Sequence, residues 1–555
     1  MPPARPFAWE RVYPPGLDWG APIARGTLGG LLGASAAAFG DAVALRYRDT
    51  ALSFRDLLGL ARRVAGALLA LPAARDGVAL LTGNTAFHPA VAFGCALAGL
   101  RLVQLSPIDA PRTIAHKLKD SGARVLVTLA QEGLLRLAGA LRAQGLAELL
   151  VVGDDAHWGQ GPAARPRPED ALRLEDWLAA PEPDALPAVA PDDIMLLQYT
   201  GGTTGLPKGA MLTHGNLTAA CAQYALWNGG RGPDTARRHR RVICVLPLFH
   251  IYAFTCDLLM SLRRGDEMLL HARFDAGAVL DDIERRRATD MCGVPTMWIA
   301  LANHPEIDRR DLSSLRTASS GGAALPVEVA ARFERLTGRR IGAGWGMTET
   351  SPAGTAPLTA PEAPYRPGSI GVPIPGVEMK VVALDDPRRD LPPGETGEIA
   401  IRGPNVFKGY WRRPEETASA FVDGCFLTGD VGRMDPDGFF FLTDRKKDMI
   451  LSGGFNVYPR AIEEAIYEHP DVAECVVIGV ADAYRGQSAK AYVTLRPGAA
   501  PLSLPALQAF LADRVGRHEM PTALELREAL PRTAVGKLTK LPLVEEEQAR
   551  AAAQG

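Results

Sequence analysis

The chain has 555 residues, 47% of them hydrophobic and 22% charged, with a formal net charge of −2. That length and apolar content are enough for a large core divided between more than one domain, and the near-neutral balance lacks the basic excess of a nucleic-acid-binding protein. Seven cysteines, Cys95, Cys221, Cys244, Cys256, Cys292, Cys425 and Cys475, are scattered, odd in number and free of any Cys-x-x-Cys pair; this favours a reducing compartment, the cytoplasm, and argues against zinc.

Residues 1–19 carry both signs of charge and no uninterrupted apolar stretch, so they read as neither signal peptide nor anchor. Residues 57–71 and 113–119 are amphipathic. The most apolar window, 78–105, contains Asn84, His88, Pro89 and Arg101 and is predicted to be a strand, a turn and a buried helix, not a membrane span. Any membrane contact, for example at the inner membrane face, would therefore be peripheral. Short β-branched or apolar runs at 125–127, 149–152, 242–246 and 268–270 alternate with Ala- and Arg-rich helical stretches, the rhythm of βα units on a largely parallel sheet, so the fold class is α/β. Residues 155–193 are rich in Pro, Ala and Asp, with a short helix signal at 172–180, and form a surface excursion. After Phe439 the composition shifts. A charged run, 444–448, precedes an apolar strand, a Ser-Gly-Gly turn, an acidic amphipathic helix from Pro459 and a strand at 475–480, enough for a small second domain. The expected division is 1–444 and 445–555.

Residues 198–210, Gln-Tyr-Thr-Gly-Gly-Thr-Thr-Gly-Leu-Pro-Lys-Gly-Ala, look built to hold phosphates. Gly201, Gly202, Gly205 and Gly209 allow close backbone approach, Thr200, Thr203 and Thr204 add hydroxyls, and Lys208 adds a compact positive charge. Pro207 before the lysine separates the pattern from a Walker A loop. In 344–350, Gly-Trp-Gly-Met-Thr-Glu-Thr, Trp345 can stack on a purine between Gly344 and Gly346, and Glu349 can coordinate a hard cation that bridges phosphates. Upstream, 318–324 close a strand and enter a helix with small residues, Gly321, Gly322 and Ala323 among them, that let a ligand press on backbone. In 428–430, Thr-Gly-Asp, the Asp430 carboxylate on a tight turn could accept ribose hydroxyls, although alone it reads rather as a turn aspartate.

The phosphate motif is similar to the signature loop of the adenylate-forming superfamily, which includes acyl-CoA synthetases, luciferases and the adenylation domains of peptide synthetases. Gly201 stands where that family usually has Ser or Thr. The resemblance spans about residues 28–543, with further matches in order. The 344–349 segment resembles the family's Gly-Tyr-Gly-x-Thr-Glu motif, with Trp345 for tyrosine, and 531–537 resemble its Pro-x-Thr-x-x-Gly-Lys motif, with Lys540 for a common arginine. What the resemblance implies is an ATP- and Mg²⁺-dependent acid–thiol ligase that forms acyl-AMP and pyrophosphate, then acyl-CoA and AMP. ATP and AMP would be held by 200–205, Lys208, Gly321, Gly322, Ala323, Gly344, Trp345, Gly346, Thr348, Asp430 and Arg445. Thr200 and Glu349 would hold the metal, and Lys537, Glu349 and His250 would be catalytic, with His250 in 246–254 beside the acyl carboxylate. Lys447 would be the hinge of a mobile C-terminal domain, and Gly453, Gly454 and Phe455 would line the CoA channel.

The 444–459 segment and the opening 13–19 resemble bacterial long-chain fatty acid–CoA ligases, so a medium- or long-chain fatty acid is the expected substrate. A dicarboxylic or aryl acid, and transfer to a carrier protein acting in trans, stay open, as do a scaffolding protein without catalysis and the oligomeric state, including a homodimer. Trp227 reads as a core residue or a tunnel gate, and the basic run 237–241 as a solvated loop or a distal cation for a diacid.

Overall fold

The computed structural model describes residues 5–161, 165–200, 206–229, 240–322, 327–358, 363–452, 455–482, 484–533 and 536–554. A large N-terminal domain is built on three seven-stranded sheets and a smaller C-terminal domain on one five-stranded sheet. Two of the large sheets follow the expected βα rhythm. In the first, the strands Ile341–Ala343, Thr317–Ser320, Asp290–Gly293, Arg241–Cys244, Glu267–Leu270 and Val43–Tyr47 run parallel, and Thr50–Ser53 closes the edge as an antiparallel hairpin partner. In the second, Leu172–Arg173, Leu149–Gly153, Val125–Leu129, Val78–Leu81, Leu102–Leu105 and Ile194–Thr200 are parallel and Lys208–Thr213 is antiparallel. Their central strands are buried on both faces, which is why they read as continuous apolar runs.

The helices form where sequence supplies both a cap and an apolar stripe. Ser53 and Asp56 make a reciprocal capping box at the start of Phe54–Leu69, and that helix buries Leu57, Ala61, Val64 and Leu68 against Phe87–Ala98. The two approach so closely that a Cβ on Gly94 would meet the Val64 side chain.

The third sheet departs from the expected largely parallel arrangement. It is antiparallel, ordered Thr355–Ala356, Ser369–Pro373, Phe440–Arg445, Cys425–Met434, Gly397–Arg402 and Glu378–Val382, with Phe421–Val422 beside Cys425–Met434. Asp430 lies within the long strand Cys425–Met434, directly opposite Arg445, and not on a tight turn; the irregularity that the glycine signals is a local one, Gly429 at φ +71°.

The C-terminal domain carries its own apolar core, centred on Ile462, Ile466, Val477 and Val493. Its elements match the expected order: Ile450–Ser452, Phe455–Val457, helix Pro459–Tyr467 and strand Val472–Asp482. The N-terminal segment straps across the antiparallel sheet. Trp9 packs beside Gly438, the Trp19 indole N–H donates to the Val377 carbonyl at 2.8 Å, and Tyr13 donates to the Pro373 carbonyl and meets Trp227 edge-on at 5.4 Å. All seven cysteines are free, and among the described residues no helix is long and apolar enough to cross a membrane.

Candidate functional site

The C-terminal ends of the first parallel sheet, the antiparallel sheet and the small domain enclose one cleft of about 3560 Å³. Most of the sequence-predicted residues converge there, but Gly201, Gly202, Thr203, Thr204, Gly205, Ala323, Gly453 and Gly454 lie outside the described residues. The ends of the phosphate motif are paired: Thr200 closes one strand and lies opposite Lys208, which opens the next. The Lys208 ammonium pairs with Glu416 and sits 5.2 Å from the centre of the Tyr410 ring. Tyr410 in turn donates from its hydroxyl to Glu349 Oε1 at 2.9 Å. Glu349 is buried in the middle of a short 3₁₀ turn, Thr348–Thr350, and burial raises its pKa.

Trp345 extends from the end of the Ile341–Ala343 strand and is bracketed by glycines that lack room for a side chain. A Cβ on Gly346 would overlap the Pro352 carbonyl, and one on Gly354 would strike the indole ring. The indole N–H donates to Asp430 Oδ2 at 2.8 Å, and the Arg445 guanidinium pairs with Asp430 Oδ1 at 2.8 Å. Asp430 is 3% exposed. Its charge raises the Arg445 pKa.

Lys537 reaches this site from the small domain. It follows a turn in which Gly536, at φ +80°, donates to the Thr533 carbonyl, and the Gly536 carbonyl accepts from the Thr296 hydroxyl at 3.2 Å. The lysine side chain lies over Gly322, at φ +79°, where any Cβ would collide with it. Burial, then Arg445, lowers the Lys537 pKa to about 8 against an opposing effect of Asp430. His250 stands nearby, its Nδ1 accepting from the Tyr252 amide at 3.2 Å. Burial and Lys537 lower its pKa to about 3, so at neutral pH it is an uncharged wall.

Beyond His250 the cleft continues along the strands Arg241–Cys244 and Asp290–Gly293 toward their N-terminal ends, a run of ~13 Å at strand spacing. Ile251, just before the π-helical stretch Ala253–Leu259, and Cys256 and Met260, within and just after it, line this part together with Val242, Met291 and Cys292. Tyr252 packs its ring on Gly321 and approaches Ser319 Oγ at 3.4 Å. At the far end Arg240 pairs with Asp290 and Arg264 with Asp266. Trp227 is half-buried and lines the cleft, so it is neither sealed in the core nor free of it.

One expected group does not join this cluster: Phe455 is 57% exposed on the small domain, 4.9 Å from the His518 ring. Lys447 lines the cleft but is exposed there. Lys540 lies 3.4 Å from Glu463 and 3.9 Å from Asp444. Tyr410, Glu416, Tyr252 and Thr296 had no sequence signal of their own; only folding brings them to the motif residues.

The AMP-binding enzyme family model matches residues 32–411, and the AMP-binding enzyme C-terminal domain matches 461–537. A long-chain-fatty-acid–CoA ligase of Bacillus subtilis (strain 168) is 36% identical over 557 residues, covering 97% of this chain and 98% of that one. A feruloyl-CoA synthase of Amycolatopsis sp is 38% identical over 500 residues, 90% of this chain and 94% of its own. The solved anthranilate CoA ligase AuaEII in complex with anthranoyl-AMP superimposes with a TM-score of 0.84 at 26% identity, covering 96% of this chain and 99% of that one.

Proposed function

The chain belongs to the AMP-binding enzyme family and is an AMP-forming acyl-CoA synthetase; from that premise we propose that it activates a medium- or long-chain fatty acid through an acyl-adenylate. The observation that carries the mechanism is the placement of Lys537 over Gly322, between His250 and the Asp430–Arg445 pair. A cation there meets both partners of the first step, the attacking carboxylate and the α-phosphate, and stabilises the charge that develops between them. Trp345 offers its ring to adenine, Asp430 accepts from ribose, and Thr200, Lys208 and the glycines after Thr200 hold the terminal phosphates. Gly344, Gly346 and Thr348 shape the same wall.

Glu349, with one carboxylate oxygen not engaged by Tyr410, and the Thr200 hydroxyl fit Mg²⁺, which favours few protein ligands alongside phosphate oxygens and water. When bound, the ion neutralises phosphate charge. In the second step we assign Lys447 as the hinge at the 444/445 boundary and Gly453, Gly454 and Phe455 as the surface that meets CoA. Phe455 is exposed outside the cleft, where a rotation of the small domain could bring it to CoA.

For the acid, support comes from the apolar walls Val242, Ile251, Met260 and Met291 and from the pairing of both distal arginines, Arg240 and Arg264, with carboxylates. Among the described residues, neither offers a free cation to a second carboxylate. An aryl acid is the second reading, favoured by the feruloyl-CoA synthase relative and by the narrowing at Tyr252 and Ser319. CoA-dependent AMP formation across straight-chain, α,ω-dicarboxylic and hydroxycinnamic acids decides. A maximum among straight-chain monocarboxylic acids is expected; one among hydroxycinnamic acids would transfer the assignment to the second reading, and one among diacids would overturn both.

A further inference from the structure

Trp345 stands where the sequence suggested only a purine-stacking ring, yet its polar edge is engaged elsewhere. Its indole N–H donates to Asp430 Oδ2 at 2.8 Å while Arg445 takes Oδ1 at the same distance. Both side chains are nearly closed to solvent, Trp345 at 7% and Asp430 at 3%. The ring itself cannot turn freely: its amide donates to the Thr355 hydroxyl at 3.1 Å, its carbonyl accepts from the Thr355 amide at 3.0 Å, and Gly354 lies directly against its six-membered ring. A carboxylate has about four acceptor positions. With one on each oxygen filled by a fixed donor, one on each oxygen is left, and their directions are set by the two donors.

We infer that Trp345 is a positioning residue for nucleotide recognition: its indole N–H orients the Asp430 carboxylate so that its remaining acceptor positions meet the two ribose hydroxyls of ATP. This rests on the reading of Asp430 as the ribose acceptor. A tyrosine or phenylalanine at 345 can stack on adenine but presents no N–H at this place on the ring edge, so a substitution separates the two roles. Loss of the hydrogen bond would leave Asp430 held by Arg445 alone, free to rotate away from the diol.

The test is ATP–pyrophosphate exchange with Trp345→Phe, Trp345→Tyr and Asp430→Ala, each with ATP and with 2′,3′-dideoxy-ATP. For Trp345→Phe and Trp345→Tyr the expected result is a five- to tenfold rise in KM for ATP with kcat within twofold, and a change of less than twofold in KM for the dideoxy nucleotide. Because KM does not depend on the fraction of enzyme that is folded, poor folding of a variant cannot mimic this pattern. Equal KM increases for both nucleotides would mean that the ring acts by stacking alone, and unchanged KM values would mean that it does neither; each overturns the inference. Asp430→Ala tells the two levels apart. If it erases the preference for ATP over the dideoxy nucleotide while the Trp345 variants do not weaken it, only the role of Trp345 falls. If it leaves that preference intact, the ribose reading of Asp430 falls and the inference falls with it.

Discussion

Half-buried over Gly322 and beside Arg445, Lys537 has its pKa lowered from the ordinary lysine value of 10.5 to about 8, chiefly by desolvation. In the role proposed for it the charged form is the one that adenylation requires, so kcat/KM for acyl-AMP formation should fall as pH rises through about 8, a limb that reports the free enzyme. The profile of kcat should break at higher pH, because bound phosphates stabilise the ammonium. The sign for stability is the reverse: the folded value lies below the unfolded one, so the cost of burying the charge is full below about pH 8 and fades as pH rises toward 10.5. Lys537→Ala should reduce adenylation by about 10²–10³-fold, the scale of one lost charge-stabilising donor, and spare acyl-CoA formation from added acyl-AMP; equal loss of both steps in single-turnover assays would refute the assigned role. That Lys537, Asp430, Glu349 and Trp345 meet in one cleft could be anticipated because each sits in a short motif resembling one of the family's, although Asp430 and Lys537 carry little signal outside that resemblance. Tyr410 could not, since its meaning depends on a hydroxyl placed on Glu349 from 61 residues away.

At the scale of elements, the strand Phe440–Arg445, the helix Pro459–Tyr467 and the C-terminal turn are joined by one side chain. Lys540 faces Glu463 on the helix and Asp444 on the strand, and Asp444 also accepts from the amides of Arg445 and Arg460. Burial works against the charge of Lys540, but Glu463, Asp444 and Asp448 outweigh it and raise its pKa. Lys540→Ala should lower small-domain stability by about 1–3 kcal/mol, the cost of leaving two largely buried carboxylates without their cation, while Lys540→Arg should cost much less; urea denaturation followed by far-UV circular dichroism would show it. Lys540, in place of a common arginine, thus clips these elements together. The βα units could be read from apolar runs, and the elements after Phe439 from the compositional shift. The antiparallel sheet could not, because its period-two pattern is interrupted at Ser369–Gly371, Glu398–Ala400 and Val431–Gly432, where the register shifts.

Across the whole molecule, the small domain is seated on the large one through Thr296 and Gly536, where an added Cβ would lie 3.4 Å from the Thr296 hydroxyl oxygen. That spacing suits an engineered crosslink, with the reduced double variant as its reference because a side chain at φ +80° is strained. In Thr296→Cys/Gly536→Cys, oxidation should leave pyrophosphate release in a single turnover nearly intact and reduce acyl-CoA formation at least tenfold, with recovery under dithiothreitol. Undiminished acyl-CoA formation in the crosslinked protein would show that the small domain need not leave its seat. No part of the sequence could announce this interface, because its two sides lie 240 residues apart and neither is apolar. The strap at the other end of the chain has a further bearing. Residues 11–15 line the cleft beside Trp227, yet the AMP-binding match begins at residue 32. A chimera that took its first thirty-one residues from another ligase would exchange one wall of the cleft while keeping every adenylating motif, so acid preference can diverge between relatives whose matched cores are identical.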